Sequence, residues 1–352
     1  ITGQMKKGVM EGQKQFQVRK KKKKPDFPRI KKTGKYIALP DGINTPQKLS
    51  GLVTKLVNMS KEGSEGRYWY ERSSDVILTA VNGDQKEAQK VAGLVGLFSQ
   101  GTGLVPNWRG ALRYYLNSKA GKPSVEGRFP ASMVPKAEKI MKGVIPLGIK
   151  TNNFYTNLMR HIDPGMKQGV TVDLWMMRAL GYKTDSPTEA QYDRASKLIS
   201  LAAERLGWEA PQVQSAVWTT IKSKWEFVEK DIKNEAISKG HFIQAKKVDG
   251  KVVPGHWKNE PSRILYRNKF LKAAFKVPSS KVKAIDFADL MGAELATITM
   301  ETVPGVNDYF TKVNTERDYV QLNDMQVALS RLIIDEKGND RLAQAAGLLV
   351  MG

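Results

Sequence analysis

The sequence predicts a mainly α-helical protein with a disordered basic amino-terminal arm and a small α+β carboxy-terminal extension. Three observations predict it. From about residue 67 to 240, apolar residues recur at helical spacing, separated by helix-start and helix-stop residues. Half of the formal net charge of +22 lies in residues 1–36. After Gly240 turn residues and an alternating, β-branched stretch, Ala293–Val303, replace the helical pattern.

The arm comes first. Residues 1–36 hold thirteen Lys or Arg against two acids, Glu11 and Asp26, and include the run Lys20, Lys21, Lys22, Lys23 and Lys24. With almost no large aliphatic side chains it buries too little apolar surface to offset its ordering entropy. Such an arm neutralises phosphates and releases counterions without reading sequence. A solubilising tail or a localisation signal is the blander reading of the same charges. Residues 37–66 are mixed, with a turn at Pro40–Asp41–Gly42, and are expected to be a linker.

The helical region, residues 67–240, follows. Ala88, Val91, Ala92, Val95 and Phe98 predict a helix from Asp84 that stops at Gly101–Thr102–Gly103. Further helices are expected over 106–117, 131–142 and 152–162, with a Gly/Pro/Lys-rich loop over 119–130. An extended piece, Val170–Asp173, leads into a short helix ending at Leu180–Gly181. Ser186–Pro187–Thr188–Glu189 reads as a capping box with Pro at the first helical position, opening a helix through Leu206. Pro211 opens a long helix ending at Gly240. In the extension, residues 241–352, a hairpin turn is expected at Val248–Val252, a strand over 293–303 and a helix over 324–335.

Composition excludes several classes of function. There is no Cys, hence no disulfide, thiolate metal site or cysteine nucleophile. The three His, His161, His241 and His256, are far apart, and neither a metal nor another cofactor is expected. No apolar run reaches the length of a membrane span, and no signal-peptide pattern is present. The excess of 57 Lys and Arg over 35 Asp and Glu points to a polyanionic partner, above all nucleic acid. The chain opens on Ile1 and stops in the apolar Gly347–Gly352, as expected of a piece of a longer polypeptide whose other segments are further potential partners. A bacterial cytoplasm or a virion is the expected location.

Two charged residues stand at element junctions among apolar neighbours. Lys150 precedes a helix after Gly148, and Asp173 closes the extended piece before the next helix. Aimed into one cleft, an amine is a nucleophile and a carboxylate stabilises a developing sugar cation. As bland alternatives, Lys150 is a solvated residue near a helix start and Asp173 a simple helix cap. By the same weighing, Trp175, Met176 and Met177 are expected in the core, with a base-stacking platform as the alternative, and Trp218 and Trp225 are expected to pack the last helix of the domain. Tyr68–Trp69–Tyr70 is expected to pack at a helix start, with base stacking as the alternative.

The segment KTNNFYTN, Lys150–Asn157, followed by VTVDLWMMRALG, Val170–Gly181, resembles the helix-hairpin-helix DNA glycosylases, the endonuclease III-like superfamily. Lys150, Thr151, Asn153 and Asn157 match the lysine-bearing hairpin, and Val172, Asp173 and Arg178 match the segment with the essential aspartate. Upstream, Ser99, Gln100, Thr102 and Asn107 fall in nearly the family's order. The resemblance covers residues 67–240. It departs where Pro146–Leu147–Gly148 replaces the hairpin's Gly-x-Gly and Leu174–Trp175 replaces a Thr-His pair. It implies a helix-hairpin-helix glycosylase-like domain that flips a nucleotide out of DNA. Lys150 and Asp173 would then be catalytic. Gln100, Asn107, Arg109, Gly148, Thr151 and the lysines 20–24 would contact DNA. The rival is a non-catalytic phage or mobile-element protein, DNA-binding or virion-associated, that reuses this scaffold.

Overall fold

A computed structural model of the chain describes residues 38–122, 131–145, 147–248, 251–253, 255–283 and 291. The basic arm, the expected strand at 293–303 and the helix at 324–335 lie outside the described residues.

The linker expected over residues 37–66 is instead largely a helix, α1, Pro46–Glu62. Thr45 caps it, its hydroxyl accepting from Lys48 N–H at 3.2 Å, and Pro46 stands at its first position. Leu49, Leu52, Val53, Leu56 and Met59 repeat at helical spacing and are buried. That stripe, and not the turn at Pro40–Gly42, decides the local structure.

Among the described residues, eight more α-helices follow through residue 238. They are α2 (Trp69–Ala80), α3 (Gln85–Phe98), α4 (Leu104–Lys119), α5 (Val134–Met141), α6 (Ile149–Met159), α7 (Leu174–Leu180), α8 (Glu189–Leu206) and α9 (Ala210–Ser238). The cap of α8 lies two residues beyond the expected Ser186. Thr188 Oγ1 accepts from Gln191 N–H (3.3 Å) and Gln191 Oε1 accepts from Thr188 N–H (2.9 Å), leaving Pro187 outside the helix.

These helices pack as two lobes with separate cores. The first, α2–α6, is continuous in sequence and buries Ile77, Leu94, Phe98, Trp108, Leu112, Ile140 and Leu158. The second is discontinuous. Its core joins Leu52 and Leu56 of α1 to Val172, Met176, Leu198, Ile199, Val213 and Ile221 from α7 to α9. Each such side chain contributes about 1.5–3 kcal/mol when fully buried. Met176 and Met177 are core, as expected. The indole of Trp108 donates to Met291 O at 2.8 Å, so its burial leaves no unpaired N–H.

α3 and α6 approach closely at Gly96, where a Cβ would meet Thr151 O and Leu147 Cδ1, both at 3.1 Å. The small residue sets how deeply the first turn of α6 sits. Gly181, with φ +85°, ends α7 in the left-handed conformation that glycine adopts without penalty.

The described part of the extension holds two short antiparallel pairs. β1 (Phe242–Ile243) pairs with β4 (His256–Trp257), and β2 (Lys246–Val248) with β3 (Lys251–Val253). Val248 opposite Lys251 is the hairpin expected around Asp249–Gly250. Helix α10, Glu260–Ala274, then packs along the second half of α9. The Phe270 ring stacks on Trp225 at 4.4 Å and 7°, and Arg267 reaches Asp185 at 2.7 Å. Among the described residues, no helix is long and apolar enough to cross a membrane.

Candidate functional site

The seam between the two lobes holds a cavity of about 340 Å³, within the roughly 300–1,000 Å³ range of small-ligand sites. The first lobe contributes Trp69 and Tyr70 from α2, Asn107 from α4, Lys150 and Phe154 from α6, and the turn Gly101–Gly103. The second contributes Thr171, Asp173, Trp175, Gln214 and Trp218. Five aromatic rings make its walls. Trp69 and Trp218, one from each lobe, lie 6.2 Å apart across the seam.

Lys150 stands in the first turn of α6, half-buried, after the extended Gly148 at the helix cap. Asp173 caps α7. Its Oδ1 accepts from the N–H groups of Trp175 and Met176, both at 3.0 Å, and its Oδ2 accepts from the Trp218 indole at 3.2 Å. Burial raises the carboxyl above its ordinary value of 3.8, and the Lys150 ammonium, the two backbone N–H groups and the indole only partly oppose it. The aspartate is thus a better proton acceptor than a solvated carboxylate. Lys222 stands on the same wall, its ammonium 5.5 Å from the Trp218 ring centre and paired with Glu226.

A hydrogen-bonded group backs the cavity. Tyr70 Oη lies 2.6 Å from Gln214 Oε1 and 3.1 Å from Thr171 Oγ1, and Asn157 Nδ2 donates to Thr171 Oγ1 at 3.4 Å. Burial pushes the Tyr70 phenol well above its ordinary range, so it is a neutral hydroxyl.

The residues expected at the site divide into three groups. Lys150, Asp173 and Asn107 line the cavity. Gln100 is exposed on the turn beside it, while its neighbours Ser99, Gly101 and Thr102 line the wall. Arg109 is half-buried on α4, with a partner of its own, and does not line the cavity. Gly148 is exposed at the tip of the α5–α6 connection and accessible to a partner. Thr151 is not: it is 4% exposed and its hydroxyl closes the first turn of α6 by donating to Gly148 O at 3.0 Å. Its side chain thus holds the helix start together. Lys20–Lys24 lie outside the described residues.

Sequence reasoning missed Thr171, Gln214 and Lys222, and it favoured packing for Trp69, Tyr70, Trp175 and Trp218, with base stacking as the alternative for all but Trp218. Trp69, Tyr70 and Trp218 are buried and also wall the cavity; Trp175 is half-buried there. No local signal marks them, because each acquires its place from helices distant in sequence. Among the described residues, no cluster of His, Asp and Glu is placed to hold a metal ion.

Residues 57–225 match the model of a family of unknown function, DUF7178. The matched span contains every residue that lines the cavity. No curated protein and no solved structure matches the chain.

Proposed function

We propose that this chain carries a DNA base-excision site of the N-glycosylase/lyase type. The observation that supports it is the convergence of Lys150 and Asp173, distant in the chain, on one aromatic-walled cavity. A flipped nucleotide enters between the lobes and its base stacks on the rings. Asp173 takes a proton from the Lys150 ammonium, a transfer favoured by the raised carboxyl. The freed amine attacks C1′; the C1′–N bond breaks and the base leaves with the bonding pair, taking up a proton. Opening of the C1′–O4′ bond gives a Schiff base between Lys150 and C1′. Loss of a C2′ proton then expels the 3′ phosphate by elimination.

Borohydride trapping tests this on duplexes carrying uracil, an abasic site or an oxidised base. A covalent protein–DNA adduct is expected, and Lys150→Gln should abolish it while leaving DNA affinity within about twofold, as removal of one cationic group allows. DNA binding with neither adduct nor base release across the panel rejects the catalytic reading.

One observation favours the second reading, a non-catalytic DNA-binding protein on the same scaffold. Two of the three hydrogen bonds to Asp173, those from the Trp175 and Met176 N–H groups, are those of a purely structural helix cap. The trapping experiment separates the two.

A further inference from the structure

Gln214 lines the cavity from the first turns of α9 and is only 4% exposed. Its orientation follows from a chain of hydrogen bonds that starts at a backbone group. Gly169 N–H can only donate, and it donates to Asn157 Oδ1 at 3.2 Å. That turns Asn157 Nδ2 to Thr171 Oγ1, to which it donates at 3.4 Å. The Thr171 hydroxyl proton is then directed at Tyr70 Oη, 3.1 Å away, and Tyr70 donates its own proton to Gln214 Oε1 at 2.6 Å. Every proton has an acceptor in this arrangement. With the Gln214 amide reversed, the phenol proton would go to Thr171, and the Thr171 proton would find no acceptor among the described residues.

The consequence is local. Gln214 Oε1 is committed to Tyr70, and Nε2, with two N–H groups, has no other partner among the described residues. We propose that Gln214 reads the occupant of the cavity, its carboxamide N–H groups selecting a base that presents a carbonyl oxygen at that edge over one that presents an amino group. The inference rests on the base-excision reading of the same cavity. An oxo base accepts from Gln214; an amino base sets donor against donor and leaves buried N–H groups unpaired. Hypoxanthine against adenine and uracil against cytosine are the pairs that differ in this way.

The test uses the full chain and duplexes carrying one 2′-fluoro-arabino nucleotide, whose fluorine slows glycosidic cleavage. Affinity is read from quenching of the indoles that wall the cavity. Wild type is expected to bind the hypoxanthine and uracil duplexes at least about tenfold more tightly than their adenine and cytosine counterparts. Gln214→Glu keeps an acceptor for Tyr70 but turns a carboxylate oxygen to the cavity. Its added charge weakens all four duplexes alike, and the oxo-to-amino ratio should fall to one or invert. Tyr70→Phe, which frees the amide to rotate, should narrow the ratio. Equal affinities in wild type, or a ratio that Gln214→Glu leaves unchanged, overturn the proposal. A ratio that responds to Gln214→Glu in a protein that gives neither a borohydride adduct nor base release keeps this inference and rejects catalysis. Adducts with an unresponsive ratio do the reverse.

Discussion

Asp173 and Asp84 both cap a helix, each accepting two backbone N–H groups on one carboxylate oxygen. Their acidities shift in opposite directions. The exposed Asp84 is held below its ordinary value, first by the Glu87 N–H. Burial in the cavity wall raises Asp173 above it. A raised carboxyl binds its proton more tightly in the folded state than in the unfolded chain. Between the ordinary value and the raised one, the folded state therefore holds more protons, and stability falls as pH rises through that window. Replacing Asp173 with Asn removes this pH dependence and the Trp218 bond at all pH values. Urea titrations of wild type and Asp173→Asn should thus show the difference moving in the variant's favour as pH rises above about 3.8. A cap with a lowered carboxyl gives the opposite slope. The position of Asp173 before a helix was legible in the sequence. Its burial was not, because the lid over it is Trp218, 45 residues away.

Helix α7 has only seven residues, too few to stand by its own propensity. Beyond its cap it is held by Arg178, whose guanidinium lies 4.7 Å from the Trp175 ring and 4.1 Å from that of Trp225. Arg178 grips Asp185 through both carboxylate oxygens, at 3.1 and 2.8 Å, and Arg267 of α10 adds a third bond at 2.7 Å. Burial alone would raise Asp185, but the two guanidinium groups hold it below its ordinary value. Its contribution to stability is complete above that ordinary value and is lost as pH falls through the lowered one. Asp185→Asn is expected to cost about 1.5–3 kcal/mol at pH 7, as loss of hydrogen bonds to a partly buried charged group does. In urea titrations that deficit should shrink as pH falls below about 3.8. At this scale the sequence was informative where capping chemistry is local, as at Asp84 and the end of α7. It was poor at α1, whose apolar stripe is intelligible only against the α9 surface that it covers.

The described helices through residue 238 form two lobes and a seam, and the seam is what sequence periodicity cannot show. Tyr70 and Gln214 are 144 residues apart, each an ordinary member of a helix until the lobes meet. Lys150 and Asp173 are legible as charged residues at element junctions among apolar neighbours, and again by their order within a resemblance. The net charge is legible at once, and it carries a prediction of its own. Deleting residues 1–36 removes thirteen cationic side chains. The slope of log affinity for DNA against log salt should flatten by about 0.9 for each phosphate that the arm neutralises. An unchanged slope moves the phosphate-binding groups to the helical body.

The discontinuity of the second lobe bears on how the chain is made. Met59 O accepts from the Thr220 hydroxyl at 2.8 Å, a bond between positions 161 residues apart. On a ribosome the first lobe has nearly all its core side chains once residue 162 has emerged, while α1 must wait for α9. Until then its oily stripe is uncovered. The cavity is therefore closed only when synthesis of the domain is nearly over, since α9 supplies Gln214 and Trp218 to its wall, and a nascent chain arrested before α9 is exposed to aggregation.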